Sequence, residues 1–189
     1  FQQVQKYEKG VNRIAASRLL DIANALELPA SRFFDGLVRV PLVLSWPGQF
    51  QAGLRSDALV ETVDVAPTLM HACGLGVPPE MQGKSLLPLM RGEVDPKVHK
   101  KAVVCEYREA MGGHPDNTHA SMVFDGRYKS IFYHGHEIAE LFDHAEDPEE
   151  YRNLWLEPGN ETLKLQQMRA HMNALMATVD VGPPRFVNY

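Results

Sequence analysis

The chain has 189 residues, 44% of them hydrophobic and 23% charged, the balance of a soluble globular protein of one ordinary domain or two small ones. Its net charge of −5 excludes a general attraction to phosphate backbones or anionic lipid. No apolar run reaches the length of a membrane span and residues 1–36 lack the order of a secretory signal, so a cytoplasmic chain with no membrane contact is expected.

Charge is uneven along the sequence. Residues 1–36 carry five Lys/Arg and four Asp/Glu, and residues 37–189 carry fourteen and twenty. Phe1–Lys9 reads as a short helix stopped at Gly10, and Ala15–Leu28 as a second, with Leu19, Ile22, Ala23 and Leu26 on one apolar face. Pro29 opens a short third helix through Phe34. After Gly36 the period changes. Val38–Trp46 is an almost continuous apolar run closed by Pro47-Gly48, the pattern of a strand buried on both faces. Val63–Cys73 reads as a buried helix carrying Val65, Leu69 and Ala72, with Asp64 and Thr68 as helix-entry groups around Pro67.

Strands are predicted at Ala102–Tyr107, Ala120–Phe124, Tyr128–Tyr133 and Ala139–Phe142, with Asp125-Gly126 as a hairpin turn. The acids Asp143, Asp147, Glu149 and Glu150 read as turn and helix caps, because the ligand order of a calcium loop is missing. Glu161–Val179 is a long helix with a stripe of Leu165, Met168, Met172, Leu175 and Met176. The Met-rich stripe, Trp46 and Trp155 read as packing residues, and Gly182–Tyr189 as an extended tail. The fold class expected is α+β: a short helical N-terminal piece, a buried strand and helix, then a small antiparallel sheet packed by a long C-terminal helix. The divisions expected are 1–36, 37–100 and 101–189.

Residues 1–36 resemble the second half of a Cro/repressor-type helix-turn-helix domain, through Gln-Gln-Val-Gln-Lys-Tyr-Glu-Lys-Gly and the following Ser-Arg-Leu-Leu-Asp-Ile-Ala-Asn-Ala-Leu. That resemblance implies that Gln2, Gln3, Gln5 and Lys6 face DNA, since Gln pairs with adenine edges and Lys reaches phosphate or guanine. Residues 37–189 resemble the C-terminal part of the sulfatase family of the alkaline-phosphatase superfamily. The resemblance rests on Arg39-Val-Pro-Leu-Val-Leu-Ser-Trp-Pro-Gly48, Val63-Asp-Val-Ala-Pro-Thr-Leu-Met70, Gln82-Gly-Lys-Ser-Leu-Leu-Pro-Leu89, Gly126-Arg-Tyr-Lys129, and Glu140-Leu-Phe-Asp143 leading to Asp147-Pro-Glu-Glu150 and Asn153-Leu154.

The sulfatase resemblance implies a divalent cation, calcium or magnesium, beside a formylglycine nucleophile made from Cys or Ser with Pro or Ala at plus two and Arg at plus four. Cys73 has Leu75 and Val77 at those places, and Cys105 has Tyr107 and Glu109, so no catalytic and no metal residue is carried over. Both cysteines read as buried free thiols. His134-Gly-His136 has a spacing that metals use on a strand, without a carboxylate or thiolate to complete it. By the same resemblance the loop Met111–His119 faces an active-site mouth, which makes His114 and His119 candidates for substrate contact. The expectation for the molecule is a sulfatase C-terminal fragment without activity on its own, joined near Asp35-Gly36-Leu37 to a partial helix-turn-helix. Self-association through an exposed apolar strand at 40–44 follows from it, with a DNA-binding regulator as the alternative.

Overall fold

The computed structural model describes residues 42–107 and 119–179. The helices read in 1–36, the DNA-facing Gln2, Gln3, Gln5 and Lys6, the candidate His114 and the tail after Gly182 lie outside the described residues.

The architecture is α+β. Four strands, β1 (Val103–Tyr107), β2 (Ala120–Phe124), β3 (Tyr128–Tyr133) and β4 (Ala139–Asp143), form an antiparallel sheet in sequence order. Their Val, Ile, Phe and Tyr content suits a pleated, half-buried surface. Register places Cys105, Met122, Ile131 and Glu140 in one row, and Glu106, Ser121, Phe132 and Ala139 in the next, so successive rows face opposite sides. Ala120, Met122, Ile131 and Tyr133 form the apolar cluster of the first face, flanked by Cys105, Tyr107 and Phe124. In the β2–β3 hairpin the central residues are Gly126 and Arg127, one place later than the sequence indicates. Asp125 N donates to the Tyr128 carbonyl at 3.1 Å, and Gly126 alone takes positive φ, +96°, the first central position where primed hairpin turns need glycine.

The helix over the second face is α3, Glu161–Thr178; it follows the helices α1 (Val65–Ala72) and α2 (Leu87–Met90) in the chain. Its Leu, Lys, Gln, Met, Arg and Ala are strong helix formers, with no Gly or Pro to interrupt them. The helix turns His171, not the methionines, onto the sheet: His171 is 2% exposed, whereas Met172 is 57% and Met176 64% exposed. The stripe expected to pack is therefore offset by one residue, about 100° around the axis, from the buried line. Helix packing follows the hydrogen bonds His171 makes with the sheet, which hydrophobic periodicity does not register.

A short 3₁₀ turn, Thr62–Asp64, leads into α1. Pro67 falls in the first turn, where its missing N–H loses no helical bond. The buried side of α1 is Asp64, Pro67 and Thr68, while Leu69 is exposed, so the helix is buried along its polar line rather than its apolar one. Thr68 Oγ1 accepts from Leu86 N at 2.8 Å, and Asp64 Oδ1 from Lys84 N at 2.7 Å, pinning the Gln82–Leu89 segment against α1. Gly83 lies in that contact: a Cβ there would collide with the Val63 carbonyl and Pro67. Beyond it α2 packs Leu86, Leu89 and Met90 on Phe50, Ala58 and Val60.

Residues 42–46 form no ladder among the described residues; Leu42, Val43, Leu44 and Trp46 are all exposed, and Trp46 touches Phe50 edge-on at 5.6 Å. Trp46 is thus no core residue, whereas half-buried Trp155 packs edge-on against Phe132 at 5.2 Å. Neither thiol is fully buried: Cys73, at the C-cap of α1, is exposed and Cys105 is half-buried.

Candidate functional site: a histidine-lined recess at the sheet edge

Where β1 ends and β2 begins, Glu106, Tyr107, His119, Ala120 and His134 line a recess of about 360 Å³. His119 is placed by β2, which it precedes, and its carbonyl accepts from His134 N at 2.7 Å. That bond closes the open end of the β2–β3 pair and brings the two histidines to one rim. Gly135, at φ +79°, turns the chain back so that Tyr133 N bonds the Ile138 carbonyl at 3.2 Å. His134 and His136 therefore sit in a turn, not on a strand face.

Behind His134 runs a hydrogen-bonded line into the core. His134 Nε2 is 2.8 Å from Ser121 Oγ, Ser121 Oγ is 2.8 Å from His171 Nε2, and His171 Nδ1 is 2.8 Å from Ser130 Oγ. Ser121 is fully buried, Ser130 and His171 nearly so, and the His171 ring meets Phe132 edge-on at 4.6 Å. Burial, and secondarily the charge of His134, pull the His171 imidazolium down to about 4, so the ring is neutral at physiological pH. Periodicity could not find these residues. A serine on each of two adjacent strands together with a histidine in a long helix was the only signal.

Two ion clusters hold the scaffold. Asp64, wholly buried, accepts from Glu61 N at 3.0 Å and faces the Lys100 ammonium at 2.7 Å. Burial raises its carboxyl, but Lys100 and the N–H groups of Lys84 and Glu61 outweigh that and hold it below 3.8. His99 Nε2 lies 3.3 Å from Asp64 Oδ2 yet off the hydrogen-bond line, and burial first, with Lys84 and Lys100 after it, pulls its imidazolium down despite Asp64. The second cluster is Glu150 with the Lys129 ammonium at 2.9 and 3.1 Å and His144 Nε2 at 2.7 Å. Glu150 thus lies in a buried ion pair. Asp143 and Asp147 do bond turn amides, those of Ala145 at 3.0 Å and Arg152 at 2.8 Å.

Cys105 is not an activated thiol: burial, then Glu106 and Glu61, push it up from 9.0. Among the described residues no three His, Cys, Asp or Glu side chains are placed to hold a metal ion, so the described donors do not fit a divalent-cation cage. No helix of the described residues is long and apolar enough to cross a membrane.

A four-stranded antiparallel sheet crossed by a terminal helix, preceded by the α1–α2 segment, is the α+β unit of sulfatase-type hydrolases in the alkaline-phosphatase superfamily. The family model described as "N-sulphoglucosamine sulphohydrolase, C-terminal" matches residues 31–178, and the chain belongs to that family. A Delta 4,5-hexuronate-2-O-sulfatase of Bacteroides thetaiotaomicron is 36% identical over 131 residues, 67% of this chain and 26% of the relative. The solved structure of a 2-O GAG sulfatase aligns at a TM-score of 0.50 with 34% identity, over 60% of this chain and 24% of that one. The chain spans about a quarter of the sulfatase relatives it matches. A stretch of 39 residues, 21% of the chain, is 64% identical to 36% of an uncharacterized transcriptional regulator in the ATPase CF(0) region of Rhodospirillum rubrum.

Proposed function

We propose that this chain is a C-terminal portion of a sulfuric-ester hydrolase and has no sulfatase turnover by itself. The observation that carries this reading is the family match across residues 31–178, in which neither cysteine has the Pro/Ala and Arg followers of a formylglycine site. Formylglycine and a calcium or magnesium ion would supply the attacking oxygen and charge neutralisation in a whole enzyme. The part proposed for this chain is to present the recess, with His119 at its rim, to the substrate's side of that centre, with His114 as a further candidate for substrate contact. His119 is supported by its place beside His134. With an aryl sulfate and added calcium or magnesium, the purified chain is expected to give no hydrolysis above buffer; a clear rate would refute the reading.

Self-association belongs to the same proposal. Exposed Leu42, Val43, Leu44 and Trp46 border a groove of about 910 Å³ that runs to Leu86, Leu89 and Met90, apolar area that a second copy would cover. Light scattering at micromolar concentration should give more than the 21.2 kDa of one chain, and a monodisperse monomer would remove the idea.

A second reading, DNA binding by Gln2, Gln3, Gln5 and Lys6, is supported by the 39-residue likeness to a transcriptional regulator. It requires a salt-dependent gel shift with operator-like DNA that Lys6→Ala weakens. Retention that is equal on unrelated sequence and unchanged in that variant excludes it.

A further inference from the structure

The line of four side chains behind the recess has a direction. The structure assigns Ser130, His171 and Ser121 as a one-way donor chain that ends on His134 Nε2, fixing His134 in the Nδ1–H tautomer at the rim of the recess. A serine hydroxyl has one proton, and a neutral imidazole has one donor and one acceptor. Among the described residues, Ser121 Oγ has only the two imidazole nitrogens as partners, and Ser130 Oγ only His171 Nδ1.

One arrangement uses every proton. Ser130 donates to His171 Nδ1, His171 donates from Nε2 to Ser121, and Ser121 donates to His134 Nε2. Reversing the chain makes His134 and His171 donate inward, and the Ser130 hydroxyl proton then has no acceptor in a residue 3% exposed. Letting both histidines donate to Ser121 strands the Ser121 proton in a residue 0% exposed. Either alternative leaves one buried donor unsatisfied, which the forward chain avoids.

His134 is exposed, and an imidazole in water prefers its proton on Nε2. The chain imposes the opposite choice, because the partner of one ring nitrogen sets the state of the other. Ser121, Ser130 and His171 are therefore positioning residues. What they position is a hydrogen-bond donor, His134 Nδ1–H, among Glu106, Tyr107 and His119. Among the described residues the groups facing His134 are these three, Ser121 and His171, and those facing His171 are Ser121, Ser130, Phe132 and His134.

Ring nitrogen NMR of the ¹⁵N-histidine-labelled chain at pH 7.5 tests the assignment. His134 should show a protonated Nδ1 and a bare Nε2, and His171 the reverse. Ser121→Ala should return His134 to Nε2–H, and Ser130→Ala, two links further away, should weaken the preference of both rings. A merely structural role for Ser130 would not move a histidine on the far side of the chain. His134 found as Nε2–H in the unmodified chain overturns the assignment without any variant, as does a His134 tautomer unaltered in a folded Ser121→Ala chain.

Discussion

Lys129→Met should cost about 3–5 kcal/mol of stability, the cost of leaving a buried charge without its counter-ion. The Lys129 side chain is 4% exposed and that of Glu150 0%, so removal of the ammonium takes the Lys129 counter-charge from a carboxylate that water cannot reach and that still bonds His144. Glu150→Gln should cost a similar amount by removing the charge that faces the buried ammonium. Glu150 is also the only non-glycine among the described residues with positive φ, +57°, a backbone state held in place by what its side chain binds. The contrast is Arg152→Ala. Arg152 and Glu157 approach even more closely, at 2.5 and 2.6 Å, but the Arg152 side chain is 67% exposed and water replaces its partner. Urea melts followed by circular dichroism should show a large fall in midpoint for Lys129→Met and almost none for Arg152→Ala. Equal midpoints for the two variants would mean that the buried pair holds nothing together.

That contrast marks what was legible in the sequence. All four strands and the long helix were readable to within a residue or two at their ends, because β-branched and aromatic alternation and an uninterrupted run of helix formers are local signals. Asn153-Leu154 was readable only as a motif. In the structure Asn153 Oδ1 accepts from Leu141 N at 3.0 Å, and Leu154 N donates to the Leu141 carbonyl at 2.8 Å, which satisfies part of the outer edge of β4. Glu150 looked like one more acid in an acidic turn, since its partner stands 21 residues earlier, on β3. The recess was half visible: the Met111–His119 loop pointed to His119. His134 entered as half of a metal spacing, and Ser121, Ser130 and His171 carried no periodic or motif signal at all. Buried polar networks join residues far apart in sequence, where neither propensity nor hydrophobic period has anything to say.

Acid should weaken the fold well before its carboxylates titrate. A histidine whose folded value is depressed takes up its proton more readily when unfolded, so its contribution is complete above the unfolded 6.5 and is lost as pH falls toward about 4. A fall across that window corresponds to about 3 kcal/mol by pH 4, at 1.36 kcal/mol per unit. The geometry gives the same sign. A protonated His171 donates from both nitrogens, so Ser130 must turn from donor to acceptor and its own proton loses its partner. Asp64 acts lower on the scale. Its folded carboxyl lies below 3.8, so the stability it contributes is present above 3.8 and disappears only as pH drops through the folded value. The two effects separate in a comparison of urea midpoints at pH 7, 5.5 and 4 for the unmodified chain and His171→Gln. The glutamine variant should be less stable at pH 7, because its amide cannot reproduce both serine bonds, yet should fall less from pH 7 to 4, keeping only the loss that buried His99, also held below 6.5, contributes. The unmodified chain should lose most of its margin over the same interval. Parallel losses in both chains would move the acid sensitivity away from His171 and onto other groups, buried His99 among them.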